Sequence, residues 1–298
     1  YRRTSHKCFE RVEELGIFDN IHRIKADLAD SASIQTAIRQ SEPDEIYNLA
    51  AQSFVGASFQ QPLLTSDITG LGALRILEAI KENVPDAKFY QASSSEMFGD
   101  AAGAKDENTI FKPRSPYGAA KVFAHHITNH YKEAYNIFAC CGILFNHESP
   151  LRGHEFVTRQ ITYRLAKIKY KKQKTFKLGN IHARRDWGFA GDYVEAMWLM
   201  LQQKKPDDFV IATGESHSVE EFLTLASEYA GFEDWHDLVE VDKSLFRPTD
   251  IEELIGDSSK ARKQLGWKPK MSFNELVKVM VEHDLDSFKL KTDPISDY

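Results

Sequence analysis

Short apolar runs alternate along the first half of the chain with longer segments whose apolar positions recur every three or four residues. DEIYNLAA, AKFYQAS and FACCGILF have the length and density of buried strands, and HRIKADLAD reads as a further strand ending in Asp27-Leu28. Between them SIQTAIRQ reads as a short helix. Residues 69–82, with Leu71, Leu74, Leu77 and Ile80 at near-helical spacing, read as a covering helix. Strand and helix patterns in this order predict an α/β fold, a doubly wound parallel sheet. The alternation stops at Asn146-His147-Glu148-Ser149-Pro150, where a helix of mixed polarity, EFVTRQITYRLAKIKY, follows. Beyond it lie an apolar helix from Asp192, a buried strand DFVIATG, and two helices opened by capping boxes, Ser218 with Glu221 and Ser272 with Glu275. SSKARKQL closes on Gly266 as a C-terminal cap. The last third is thus a smaller, α-rich domain.

Composition narrows the class without changing the fold. The 298 residues are 42% hydrophobic and 28% charged, enough for one sizeable core or two domains. A net charge of −6 and a pI near 6.0 argue against a nucleic-acid partner, which wants a basic face. No apolar run approaches the ~20 residues of a membrane helix, and no signal peptide is seen. Cys140 and Cys141 lie in a strand-like run, and with Cys8 they read as buried thiols in a reducing cytoplasm. The eleven histidines show no zinc spacing, so no metal is expected.

The chemistry concentrates between residues 87 and 121. The strand AKFYQAS delivers Ser93-Ser94-Ser95-Glu96 to the edge at which parallel sheets bind ligands. After a loop comes Ser115-Pro116-Tyr117-Gly118-Ala119-Ala120-Lys121. Ser115 suits an N-cap and Pro116 the first helical position, and Tyr117 and Lys121 share a face at i, i+4. An ammonium beside a phenol favours phenolate, lowering a pKa of ~10 and making tyrosine usable as a base. A surface Tyr and Lys sharing a helix would give the same spacing.

These residues resemble the extended short-chain dehydrogenase/reductase superfamily, and SSSEMFG with SPYGAAK is similar to the GDP-mannose 4,6-dehydratase family within it. YNLAAQSFVGASF, ILFNHESPLRG, EFVTRQIT, LGNIHARRDWGFAGDYVEAMWLMLQ and FRPTDIEELIGDSSKARKQLGWKP agree in order, over nearly the whole chain. The resemblance implies a Rossmann-like, NADP-binding domain over 1–145 plus 182–212 and a GDP-sugar-binding domain over 146–181 plus 213–298. It also implies a dimer or tetramer. The glycine-rich dinucleotide turn is not found upstream, so the chain looks like a family member lacking roughly thirty N-terminal residues.

The same resemblance assigns roles. Arg2 and Arg3 would hold the 2′-phosphate of NADP, Asp27 and Leu28 the adenine, and Leu49, Ala50, Ala51 and Gln52 the ribose and pyrophosphate, with Tyr117 and Lys121 also against the cofactor. Ser53, Asn146, Val157, Gln160, Arg185 and Arg247 would bind substrate, the arginines taking the diphosphate. Gln160 stands where the family usually has Lys, and Ser94 where it commonly has Thr. Tyr117, supported by Lys121 and with Ser94 on the oxygen, would take the C4 hydroxyl proton while hydride passes to nicotinamide. Glu96 would then remove the C5 proton and assist loss of the C6 hydroxyl as water, the hydride returning to C6. The implied activity is that of a GDP-mannose 4,6-dehydratase. The alternatives are a GDP-4-keto-6-deoxymannose reductase, a GDP-manno-heptose 4,6-dehydratase and a non-catalytic sugar-nucleotide-binding protein. A reductase has no use for Glu96 as a second base.

Overall fold

The structure, a computed structural model, describes residues 1 and 9–290, the last by its backbone alone. Arg2, Arg3 and Cys8 lie outside the described residues. The chain forms two compact units. The first comprises 1–97, 115–142 and 200–208, and the second 98–114, 143–199 and 209 onward. The boundary runs through the strand Ala139–Leu144 rather than through a linker.

In the first unit the strands Glu45–Asn48, Lys88–Ser94 and Ala139–Leu144 lie in that order, the first two paired in parallel from Glu45 opposite Lys88 to Asn48 opposite Gln91. Helices Ser31–Ser41, Gly72–Asn83 and Pro116–Tyr135 flank them. Ile34, Ile38, Leu77, Ile80, Phe89 and Ile137 form one apolar core. Burying each such side chain contributes about 1.5–3 kcal/mol. Leu77 and Ile80 are fully buried as their spacing predicts, but Leu71 is exposed, because the backbone widens to a π-type turn over Ser66–Leu71 and rotates it off the core face. The expected strand HRIKADLAD is not part of the sheet among the described residues; Ala26 N donates to the Tyr1 carbonyl at 3.0 Å, the Tyr1 amino group donates to Ile24 O at 2.7 Å, and Arg75 Nη1 donates to Leu28 O at 2.9 Å.

Gly142 marks the closest packing between neighbouring strands. A Cβ there would sit 2.1 Å from the hydroxyl of Tyr90, which is fully buried. Glycine is therefore required for contact rather than for conformation.

The second unit contains short ladders. Arg184–Arg185 lies between Glu253–Leu254, parallel, and His217–Ser218, antiparallel. Asn146–Glu148 pairs with Trp187–Phe189, and Phe176–Leu178 with Val239–Val241. Its core joins Leu165, Trp187, Phe222, Leu223 and Met280. The helices Val157–Lys169 and Phe273–Leu290 are also clamped by charge: Arg159 donates from Nη2 to Asp284 at 2.7 Å, with Thr162 Oγ1 on the same carboxylate at 2.6 Å. Both capping boxes form, Ser218 Oγ accepting from Glu221 N at 3.0 Å and Ser272 N donating to Glu275 at 2.9 Å. Gly266 ends the helix Ser259–Leu265 at φ +67°. No helix among the described residues is long and apolar enough to cross a membrane.

Candidate active site

The strand Lys88–Ser94 runs straight into a single 3-10 turn, Ser95–Met97, so Ser94 and Glu96 leave the sheet together. Ser94 is buried and its hydroxyl accepts from the Glu96 amide at 3.3 Å, while Glu96 is half-buried. The helix Pro116–Tyr135 begins as its sequence demands: Ser115 Oγ accepts from Gly118 N at 3.0 Å, and Pro116 occupies the first turn. Its buried face carries Tyr117, Lys121, Ala124, His125 and Thr128. The Lys121 ammonium stands 5.7 Å from the centre of the Tyr117 ring and donates to the Ala92 carbonyl at 2.6 Å. Burial pushes its pKa down to about 8. The first unit thus brings together all four catalytic candidates, Ser94, Glu96, Tyr117 and Lys121.

Behind them lies a polar network that sequence reading missed. Ser93 Oγ is 3.0 Å from His125 Nδ1, and Asn129 Nδ2 lies 3.2 Å from His125 Nε2 and donates to Asp208 at 2.7 Å. The other Asp208 oxygen accepts from Cys141 N at 2.8 Å. Burial drives the imidazole pKa down to about 4 against the pull of Asp208, and drives the Cys141 thiol well above its usual range. The ligand-capable atoms of His125, Cys141 and Asp208 lie within 4.8 Å of one another. Hydrogen bonds within the network already use them, and Lys132, 3.6 Å from Asp208, offsets the carboxylate charge. The only sequence hint was periodic: His125 stands one helical turn beyond Lys121 on the face that carries Tyr117.

Of the cofactor candidates, Leu49 is 53% exposed at the end of the strand Glu45–Asn48, with Ala50 and Ala51 beside it. An apolar side chain left open beside two small residues, at the ligand-binding edge of a parallel sheet, fits a dinucleotide. Gln52 is held by Thr69 and Thr65, its backbone N donating to Thr69 Oγ1 at 3.2 Å and its side-chain Oε1 accepting from Thr65 Oγ1 at 3.2 Å. Asp27 Oδ1 accepts from Ala29 N, and half-buried Leu28 packs where a Cβ on Gly72 would come within 3.1 Å. Ser53 is exposed.

In the second unit Arg185 is buried. Its guanidinium donates at 2.8 Å to the carbonyls of Arg184 and Ile251, and reaches Asp250 at 3.4 Å. Asp250 belongs to the same FRPTD turn as Arg247, which is half-buried. Next to Arg185, Asp186 is buried and accepts from the amides of Thr213, Gly214 and Gly256, an anchor not read from the sequence. Burial raises its pKa despite those donors. Asn146 is opposite Trp187 in its ladder. Val157 opens the helix Val157–Lys169, and Gln160 spends its amide on the Glu155 carbonyl at 2.9 Å.

A parallel sheet with flanking helices, a strand ending in serine and a helix bearing Tyr-x-x-x-Lys define the extended short-chain dehydrogenase/reductase fold. The structure of RMD from Pseudomonas aeruginosa complexed with NADPH superposes with a TM-score of 0.81 at 21% identity, covering 93% of this chain and 95% of that one. The profile of the GDP-mannose 4,6 dehydratase family matches residues 1–280, and the chain belongs to that family. GDP-mannose 4,6 dehydratase 1 of Arabidopsis thaliana is 56% identical over 267 residues, 88% of this chain and 74% of the relative. The GDP-mannose 4,6 dehydratase of Cricetulus griseus is 46% identical over 318 residues, 98% and 85% of the two chains.

Proposed function

We propose that the protein is an NADP-dependent lyase that converts GDP-D-mannose to GDP-4-keto-6-deoxy-D-mannose and water. The observation that carries this reading is the joint delivery of Ser94 and Glu96 by one strand end, with Tyr117 and Lys121 a turn apart on the buried face of one helix. Bound NADP would supply reversible hydride transfer with no net change in redox state. Tyr117 takes the proton of the C4 hydroxyl, Lys121 stabilises the phenolate by its charge, and Ser94 hydrogen-bonds the same oxygen. Oxidation at C4 acidifies the C5 proton. Glu96, half-buried, removes it and passes it to the departing C6 oxygen, which leaves as water, and the proton that Tyr117 took from the C4 oxygen balances the one C5 regains in the 6-deoxy product. Arg185 and Arg247 take the diphosphate, assisted by Asn146, while Ser53, Val157 and Gln160 complete the substrate contacts. Leu49, Ala50, Ala51 and Gln52 face the cofactor with Asp27 and Leu28, and Arg2 and Arg3 select its 2′-phosphate.

The cofactor domain of this reading is 1–145 plus 182–212, the remainder binding the GDP-sugar. A cytoplasmic dimer or tetramer completes it, in keeping with the buried, unbridged thiols Cys140 and Cys141. The test is incubation of the protein with GDP-mannose and NADP⁺, with the product followed by mass spectrometry. Loss of one water is expected, and an unchanged sugar nucleotide would overturn the assignment.

A further inference from the structure

We propose that Thr249 is a positioning residue for this reaction: its hydroxyl orients the peptide that leads into the helix bearing Tyr117. The inference rests on the dehydratase reading. Residues 98–114 join the turn that carries Glu96 to Ser115, the cap of that helix, and within the second unit this loop is pinned along its length. Gly99, at φ +57°, lies so near the far end of the loop that a Cβ would stand 1.8 Å from the Lys112 carbonyl. Asp100 and Arg114 face each other at 3.6 Å. Midway, Lys105 forms a parallel bridge with Gly256, its amide donating to Ile255 O at 3.0 Å and its carbonyl accepting from Asp257 N at 2.8 Å. The Lys105 side chain is only 2% exposed, and burial lowers its pKa. Glu107 accepts from Val210 N at 2.7 Å. At the exit, Thr249 Oγ1 donates to the Arg114 carbonyl at 2.5 Å.

That last bond acts at the entry to the helix. The first carbonyl used inside the helix is that of Ser115, which accepts from Ala119 N, so the Arg114 carbonyl precedes the helix and has no helical donor. Thr249 supplies one. Fixing the Arg114 carbonyl fixes the peptide plane entering Ser115, and hence the direction from which Ser115 caps Gly118 one residue beyond Tyr117. Thr249 is also two residues from Arg247, with Pro248 between them locking one of the intervening dihedrals. The stretch that holds the diphosphate arginine therefore also holds the entry to the catalytic helix, through a stiff three-residue span.

The test compares Thr249→Val, which keeps the shape and loses the hydroxyl, with Thr249→Ser, which keeps the hydroxyl. Misplacing a reacting group by about 1 Å costs up to ~100-fold in rate, so Thr249→Val should lower kcat for GDP-mannose by about tenfold or more. KM should change by less than about threefold and Tm little, because water replaces the lost donor at an accessible carbonyl. Thr249→Ser should restore kcat. Hydrogen exchange at the Gly118 amide gives a readout independent of turnover: it should quicken in Thr249→Val and not in Thr249→Ser. Unchanged kcat and unchanged exchange in Thr249→Val would overturn the proposal, as would a Ser variant as impaired as the Val variant. If the unaltered protein does not dehydrate GDP-mannose, the functional reading fails while the exchange comparison still decides the role of Thr249.

Discussion

Lys121 donates a hydrogen bond from its ammonium to the carbonyl of Ala92 at 2.6 Å, two residues before Ser94 on the same strand. The bond fixes the cation against the strand that carries Ser94. Burial leaves this amine with a pKa of about 8, so it is charged below that pH and neutral above it. Its support for the Tyr117 phenolate is then present at neutral pH and withdrawn as pH rises through about 8. A kcat–pH profile should show a descending limb there. Lys121→Arg, which stays charged throughout, should lose that limb even at a reduced rate, and a limb unmoved by the substitution would assign it to another group.

In the proposed mechanism Glu96 separates dehydration from simple oxidation. Glu96→Gln preserves shape and the short turn over Ser95–Met97 but cannot accept the C5 proton. A single turnover with GDP-mannose and NADP⁺ should then give a rise in NADPH absorbance with little 4-keto-6-deoxy product, whereas Tyr117→Phe should give neither. Elimination at close to the normal rate in Glu96→Gln would reduce the carboxylate to a local cap and favour a reductase.

Arg185 and Arg247 should respond differently to removal. In the proposed reading Arg247→Ala removes a diphosphate contact, so KM should rise with a smaller effect on kcat, as expected for uniform binding. Arg185→Ala should do the same and also lower Tm, because two backbone carbonyls lose their donor. Truncation of a buried, hydrogen-bonded charge costs about 1–3 kcal/mol. Steady-state kinetics beside thermal unfolding separates the two, and equal Tm values for both variants would contradict the buried geometry.

His125 should make stability depend on acid. Its pKa is about 4 when folded against an ordinary value of 6.5, so between those values the unfolded chain binds the extra proton. Folding free energy from this group is complete above 6.5 and falls as pH drops toward 4. Asp208 opposes the loss, while His126 and Lys132 add to it. Urea titrations across that window should show a shallower decline for His125→Gln than for the unaltered protein, and parallel declines would exclude the imidazole as the cause.

What the sequence disclosed and what it withheld divide by range. Ser115-Pro116, the two capping boxes and Gly266 act within four residues of themselves, and each does in the structure what its local chemistry implies. Leu71 was misread because local pattern cannot show a π-type turn. That Ser94, Glu96, Tyr117 and Lys121 come together was legible because Ser94 to Lys121 is a short span governed by one strand end and one helix start. Ser93, His125 and Asp208, like Asp186 with Gly256 and Thr249 with Arg114, meet across 32 to 135 residues, and nothing in the residue types alone announces those meetings. Arg159 and Asp284, 125 residues apart, are the strongest instance, since each alone reads as an ordinary surface charge.

The contact between Gly142 and the Tyr90 hydroxyl turns two positions into one unit of variation. Any side chain at 142 must occupy space the phenol already fills, so Gly142→Ala alone should be among the least tolerated single-methyl additions in the first unit. Replacing Tyr90 by leucine removes the hydroxyl, which has no hydrogen-bond partner to lose, and also the ring carbons Cζ and Cε2, which would stand 2.7 and 2.8 Å from the new Cβ. In a library randomised at both sites, alanine at 142 should therefore survive in company with leucine at 90 and seldom with tyrosine or phenylalanine. Neither position would reveal that rule when mutated by itself.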